Sequence, residues 1–130
     1  MVKKYRNFKE IGDAVVIYSD NYINDIEGEK LEDLCASYLD RGFSRIVIDF
    51  SETDLVNSIG VSILIGIIEK VRDSKGRISF SGLKRVNHDI FSIVGLTKHI
   101  QIFDTEEDAV NARARQGMVV FVPAGESTDP

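Results

Sequence analysis

The sequence predicts an α/β fold, a single domain with a mixed β-sheet and about four helices. Three observations predict it. Short β-branched runs alternate along the chain with longer stretches of helical periodicity. Capping and turn residues stand at the junctions between them. The resulting order is strand, strand, helix, strand, helix, strand, helix, strand, helix, which implies helices layered on a mixed sheet.

Tyr5, Phe8 and Ile11 read as a ragged first strand, and Gly12-Asp13 as a tight turn into Ala14 to Tyr18, so the chain opens on a hairpin. After a loop from Ser19 to Asp25, a helix runs to about Arg41, with Asn24 or Asp25 as its cap and Gly42 as its end. Ser44 to Phe50, centred on Ile46-Val-Ile, suits a central strand covered on both faces. A short acidic loop follows. The second helix, about Ser58 to Ser74, is apolar nearly all round until Glu69, and such a helix must be packed deeply. Lys75-Gly76 separates it from a strand at Arg77 to Ser81. Val86, Ile90, Phe91 and Val94 mark a third helix closed by Gly95. Ile100 to Phe103 reads as a last short strand, and Thr105 with Asp108 resembles a capping box opening a weaker helix.

The domain is expected to span residues 1–116, with 117–130 as an extension. Within the extension, Met118 to Val122 reads as an edge strand that either covers its own sheet or pairs with a second copy in a homodimer. Pro123 to Pro130 has a disordered composition.

At 130 residues the chain fits one core. A net charge of -5, with the basic residues scattered among acids, gives no footprint for nucleic acid. Cys35 falls on the apolar stripe of the first helix and is expected in the core. The first ten residues lack the apolar segment of a secretory leader, and the run Val61 to Ile68 is far shorter than a membrane span, so a cytoplasmic protein is expected. There is no Gly-x-Gly-x-x-Gly and no phosphate-binding loop, and His88 and His99 are isolated in polar turns. The pattern offers no metal site, cofactor or catalytic triad, and a non-enzymatic role is expected.

The candidate site is Ser58. It stands at the start of the apolar helix, where unpaired N–H groups suit either a capping oxygen or a phosphate. Gly60 presents no side chain in the first turn, and the reading is that a partner or phosphoryl group approaches the backbone there. The bland alternative is that Ser58 simply caps the helix.

Asp49-Phe-Ser51 ending the central strand, Asn57-Ser58-Ile59-Gly60 opening the next helix and Phe91-Ser-Ile-Val-Gly-Leu96 in the third, taken in this order and spacing, resemble the STAS-domain anti-sigma-factor antagonists. The resemblance implies that Ser58 matches the serine phosphorylated by a cognate serine kinase that doubles as an anti-sigma factor. It further implies that the unmodified chain binds that kinase and that phosphorylation releases it. Asp20, Asn21, Asp25, Asn57, Ser58, Ile59 and Gly60 are then the expected docking residues. The chain departs from the family's commonest form in having Asn57 where aspartate is usual, Ile59 where a small hydroxyl residue is usual, and no glycine between Ser19 and Asp25.

Two other readings remain at this point. One is a scaffold or accessory domain of the same fold, without phosphorylation, in a larger signalling or transport assembly. The other is a receiver domain with Asp49 as phosphoacceptor, for which Asp20, Asp25 and Lys98 would supply the Mg²⁺-binding acids and the lysine. The initial hairpin argues against the receiver, which begins strand then helix.

Overall fold

The computed structural model describes residues 8–116. Strands β1 (Phe8–Ile11) and β2 (Ala14–Tyr18) form the expected hairpin, with Ile11 opposite Ala14 and Gly12 at φ +60°, a left-handed turn position suited to glycine. Tyr5, assigned from the sequence to the first strand, lies outside the described residues. A two-residue strand β3 (Tyr22–Ile23) precedes α1 (Asp25–Asp40). Next come β4 (Arg45–Asp49), a second two-residue strand β5 (Leu55–Val56), and α2 (Ser58–Asp73). The chain continues through β6 (Arg77–Ser81), α3 (Arg85–Ile93), a 3-10 turn (Leu96–Lys98), β7 (Gln101–Phe103) and α4 (Glu106–Gln116).

The main sheet has the order β1-β2-β4-β6-β7, antiparallel at the hairpin and parallel elsewhere. Its register aligns Val15, Ile46 and Ile78 across three strands, with Ile17, Ile48 and Phe80 two residues further on. These residues point to one face, where α1, α2 and α3 bury them; Phe50, Phe80 and Phe91 close the cluster with ring centroids 4.8–5.7 Å apart. On the other face α4 covers Val16 and Val47 with Ala109. Burial on both sides is what the unbroken apolar run of β4 requires.

Several boundaries match their chemical signals. Asn24 caps α1 by accepting the Glu27 N–H at 3.0 Å, and Thr105 Oγ1 accepts the Asp108 N–H at 3.0 Å at the start of α4. Gly95, at φ +83°, ends the turn after α3.

Other details differ from the sequence reading. The segments 19–25 and 51–57 are not plain loops, because β3 and β5 pair in parallel, Tyr22 beside Leu55 and Ile23 beside Val56. The second helix is buried along Val61, Leu64, Ile67, Ile68 and Val71, but Ile59, Ser62 and Ile65 form an exposed stripe. In α3 the buried positions are Asn87 and Phe91, whereas Val86 and Val94, expected inside, are exposed. The strand expected over Met118 to Val122 lies outside the described residues.

Cys35 is 1 % exposed, between α1 and the core. Burial, reinforced by the Glu32 charge and opposed by Lys70, pushes its thiol from 9.0 up to about 12. The thiol is therefore neutral and shielded at physiological pH. An alkylating reagent at pH 8 is expected to leave Cys35 unmodified in the native protein and to label it promptly in urea; prompt labelling of the native chain would contradict the packing described. Because the folded-state pKa is raised, this group's stabilising contribution is complete below about pH 9 and declines as pH rises towards 12.

Candidate partner-docking site

The start of α2 is assembled by the small β3–β5 sheet. The Ile23 carbonyl accepts the Asn57 N–H at 3.0 Å, and the Asn21 carbonyl accepts the Asp54 N–H at 2.8 Å, so the entry to α2 is fixed against the segment that follows β2. Beneath it, Thr53 is fully buried. Its hydroxyl donates to the Asp20 carbonyl at 2.6 Å and lies 3.0 Å from Ser19 Oγ, while the Thr53 carbonyl accepts from Asn87 Nδ2 at 3.0 Å. Lys84 reaches across to the Asp54 carboxylate at 2.5 Å. The loop that presents Ser58 is thus tied to both β2 and α3.

Asn57, not Ser58, is the cap of α2. Its Oδ1 accepts the Gly60 N–H at 2.8 Å, its carbonyl accepts the Val61 N–H at 2.9 Å, and its Nδ2 donates to the Tyr22 hydroxyl at 3.2 Å. Ser58 is the first helical residue, exposed, and among the described residues its hydroxyl has no hydrogen-bond partner. The Ser58 and Ile59 N–H groups also lack acceptors among the described residues, which leaves a free hydroxyl beside free donors at the positive end of a 16-residue helix. Asn57→Ala is accordingly expected to cost about 1 kcal/mol in chemical denaturation and Ser58→Ala less than about 0.5 kcal/mol; the reverse ranking would make Ser58 the cap.

Gly60 has a different role from the one expected. It is buried, and a Cβ there would stand 2.6 Å from the Ile23 carbonyl oxygen and 3.0 Å from Val56 Cγ1. Its missing side chain admits the β3 backbone, so the space beside it is closed to a partner.

Of the other expected residues, Asp20, Asn21 and Asp25 flank the β3 segment whose Asn21 and Ile23 carbonyls bond the chain entering α2. Asp20 and Asn21 are exposed at the turn into β3, with Asp20 Oδ1 accepting the Asn21 N–H at 2.9 Å, and Asp25 is exposed at the start of α1. Ile59 is 52 % exposed beside Ser58. The sequence reading missed Tyr22, Ile26 and Leu55, exposed apolar side chains on the segments converging on the same helix start. Tyr22 and Leu55, single apolar residues in supposed loops, and Ile26, apolar among acids in the first helical turn, were the available signal. The result is an apolar surface edged by Asp20, Asp25 and Asp54.

Asp49 is a structural group. Its carboxylate is buried at the end of β4 and accepts from Ser51 N at 3.0 Å, Ser51 Oγ at 2.5 Å and Ser81 Oγ at 2.7 Å. Gly82, at φ +67°, passes so close that its Cβ would lie 3.1 Å from Asp49 Oδ2. Lys98 precedes β7 and so lies at the opposite ends of the parallel strands from Asp49. The receiver reading fails on this geometry, because the carboxylate is committed and the lysine is remote. His88 and His99 are exposed on separate elements.

The STAS domain family model matches residues 5–109 of this chain. A candidate anti-sigma factor antagonist, BtrV, of Bordetella bronchiseptica is 26 % identical over 90 residues, covering 69 % of this chain and 78 % of that protein. The crystal structure of a candidate anti-sigma factor antagonist from Thermotoga maritima is similar with a TM-score of 0.73 at 18 % identity, over 81 % of this chain and 91 % of that one. The Bacillus cell fate determinant SpoIIAA in its phosphorylated form is similar with a TM-score of 0.65 at 19 % identity, over 81 % and 96 % of the two chains. These two structures share the fold described above. The chain belongs to the STAS domain family.

Proposed function

We propose that this chain is an anti-sigma-factor antagonist of a partner-switching pathway, a non-enzymatic cytoplasmic regulator. Unmodified, it docks a serine kinase that is also an anti-sigma factor; phosphorylation of Ser58 releases it. The observation that carries this reading is the exposed Ser58 hydroxyl, relieved of capping by Asn57, next to exposed Ile59 and on a helix start that the β3–β5 pair, with exposed Tyr22 and Leu55, holds in place.

The chemistry of the switch follows from that placement. An apolar surface around a small hydroxyl favours a closely packed interface, because burying Tyr22, Leu55 and Ile59 removes apolar area from water. A phosphate at Ser58 adds about -1.5 to -2 charges at pH 7 in the middle of that surface. The free Ser58 and Ile59 N–H groups and the helix dipole tolerate the phosphate within this chain. A partner packed against it would have to desolvate it, so the modified chain keeps its fold and loses its complex. Asp20, Asn21 and Asp25 form the adjoining part of the docking face, and their charge favours a basic patch on the kinase.

Tagged chain isolated from its own cells tests this. It should bring down a serine kinase in a one-to-one complex that dissolves when ATP and Mg²⁺ are added. A stable multi-protein particle indifferent to ATP would instead make the chain a scaffold domain.

A further inference from the structure

A second exposed apolar surface lies along α2 beyond Ser58. The second half of α2 and the 3-10 turn enclose a groove of about 220 Å³, with Ile65, Ile68, Val94 and Leu96 on its walls and Glu69 and Arg72 at its rim. Immediately beside it, at the end of α3, Ile93 is 83 % exposed. A protruding isoleucine and an apolar groove therefore occupy one face of the molecule. Isolated exposed apolar residues are ordinary, but a contiguous set of this kind marks an interaction surface.

The charges on this face are also complementary. Asp89 stands one helical turn before Ile93, with its side chain 61 % exposed and only a loose 3.8 Å contact to Arg85. Arg72 is exposed at the groove, and its guanidinium donates to the His99 carbonyl at 3.0 Å, which holds it in place. The knob thus carries Asp89 with Arg85 on its side, and the neighbouring groove carries Arg72 with Glu69 at its rim.

We infer that this face binds a second copy of the chain. A two-fold axis seats Ile93 of each copy in the groove of the other and brings Asp89 of each against Arg72 of the other. Such a contact is reciprocal and closes at two subunits. Ile65 lies seven residues beyond Ser58, about 10 Å along the helix, and Arg72 about 21 Å. The groove is thus displaced from Ser58 along α2, with Ile65 continuing the exposed stripe of Ile59 and Ser62 into it.

Sedimentation equilibrium of the full, unphosphorylated chain from micromolar to millimolar concentration tests the assignment. The chain should show a reversible monomer–dimer equilibrium. Ile93→Asp should raise the dimer dissociation constant by at least about tenfold and leave the thermal midpoint unchanged at concentrations where the parent is monomeric, since that side chain is solvated in the monomer. Asp89→Arg should weaken the dimer, and Asp89→Arg combined with Arg72→Glu should restore it. A monomer at every concentration, a dimer indifferent to Ile93→Asp, or a failed rescue would overturn the arrangement. So would a dimer lost on removing residues 117–130 yet kept in Ile93→Asp, which would place the contact on Met118 to Val122. Loss of kinase capture by Ile93→Asp without any change in mass would assign the face to the kinase and overturn the second-copy reading. The sedimentation outcomes do not depend on whether Ser58 is a phosphoacceptor.

Discussion

Ser58→Asp is expected to weaken binding of the kinase by about a hundredfold, equivalent to about 2.7 kcal/mol, and Ser58→Ala to leave binding near that of the unmodified chain. The reasoning separates fold from interface. As the first residue of α2, position 58 faces solvent, and a carboxylate there meets free N–H groups and the positive end of the helix dipole. The substitution should therefore keep the fold or stabilise it by about 0.3–1 kcal/mol at low ionic strength. The same charge, on the exposed helix start beside Ile59, has to be stripped of water when a partner packs over it. Alanine removes only a hydroxyl that does not cap the helix. Calorimetric titration of both variants against the captured kinase, with denaturation curves alongside, measures the two effects separately. Equal binding by both variants would mean that Ser58 is not the switch.

Gly60→Ala should cost about 2–3 kcal/mol of stability. The added methyl would stand 2.6 Å from the Ile23 carbonyl oxygen, closer than any carbon–oxygen contact tolerates, and 3.0 Å from Val56 Cγ1. The crowding atom is backbone, held by the hydrogen bond from Asn57 N and by the β3–β5 pairing, so it cannot rotate away. Relief comes only by moving α2 from β3, which loosens the Asn57 cap and spreads Tyr22 from Leu55. Partner affinity should fall with stability, whereas Ser58→Asp lowers affinity alone. A Gly60→Ala protein as stable as the parent would contradict the close approach described.

The large elements of this fold were legible in the sequence because each depends on local pattern. Ile46-Val-Ile announces a strand buried on two faces, Asn24 announces a cap, and Gly12, Gly42 and Gly95 punctuate segments at left-handed positions. The strands β3 and β5 were not legible, since two residues cannot display an alternation and their pairing joins segments more than thirty positions apart.

The start of α2 at Ser58 was legible but its cap at Asn57 was not, for a similar reason. Asn57 and Ser58 are both competent caps, and the choice falls to Asn57 through tertiary contacts, the Ile23 carbonyl on its N–H and the Tyr22 hydroxyl on its side chain. The exposed stripe of Ile59 and Ile65 was hidden for another reason. Hydropathy records that a helix is apolar all round, but not that one side of it is left without a covering element. Gly60 was read correctly as a site of close approach and assigned the wrong neighbour, because spacing alone does not say whether a ligand or the chain's own backbone comes near.

The central claim is that Ser58 carries a regulated phosphate. Intact-mass and site-mapping spectrometry of the chain isolated from its own cells, with and without stress, tests it most directly. The account predicts a single phosphate on Ser58 whose occupancy changes with condition. An unmodified Ser58 under every condition, with a partner still co-purifying, would contradict it and make this surface a constitutive docking face.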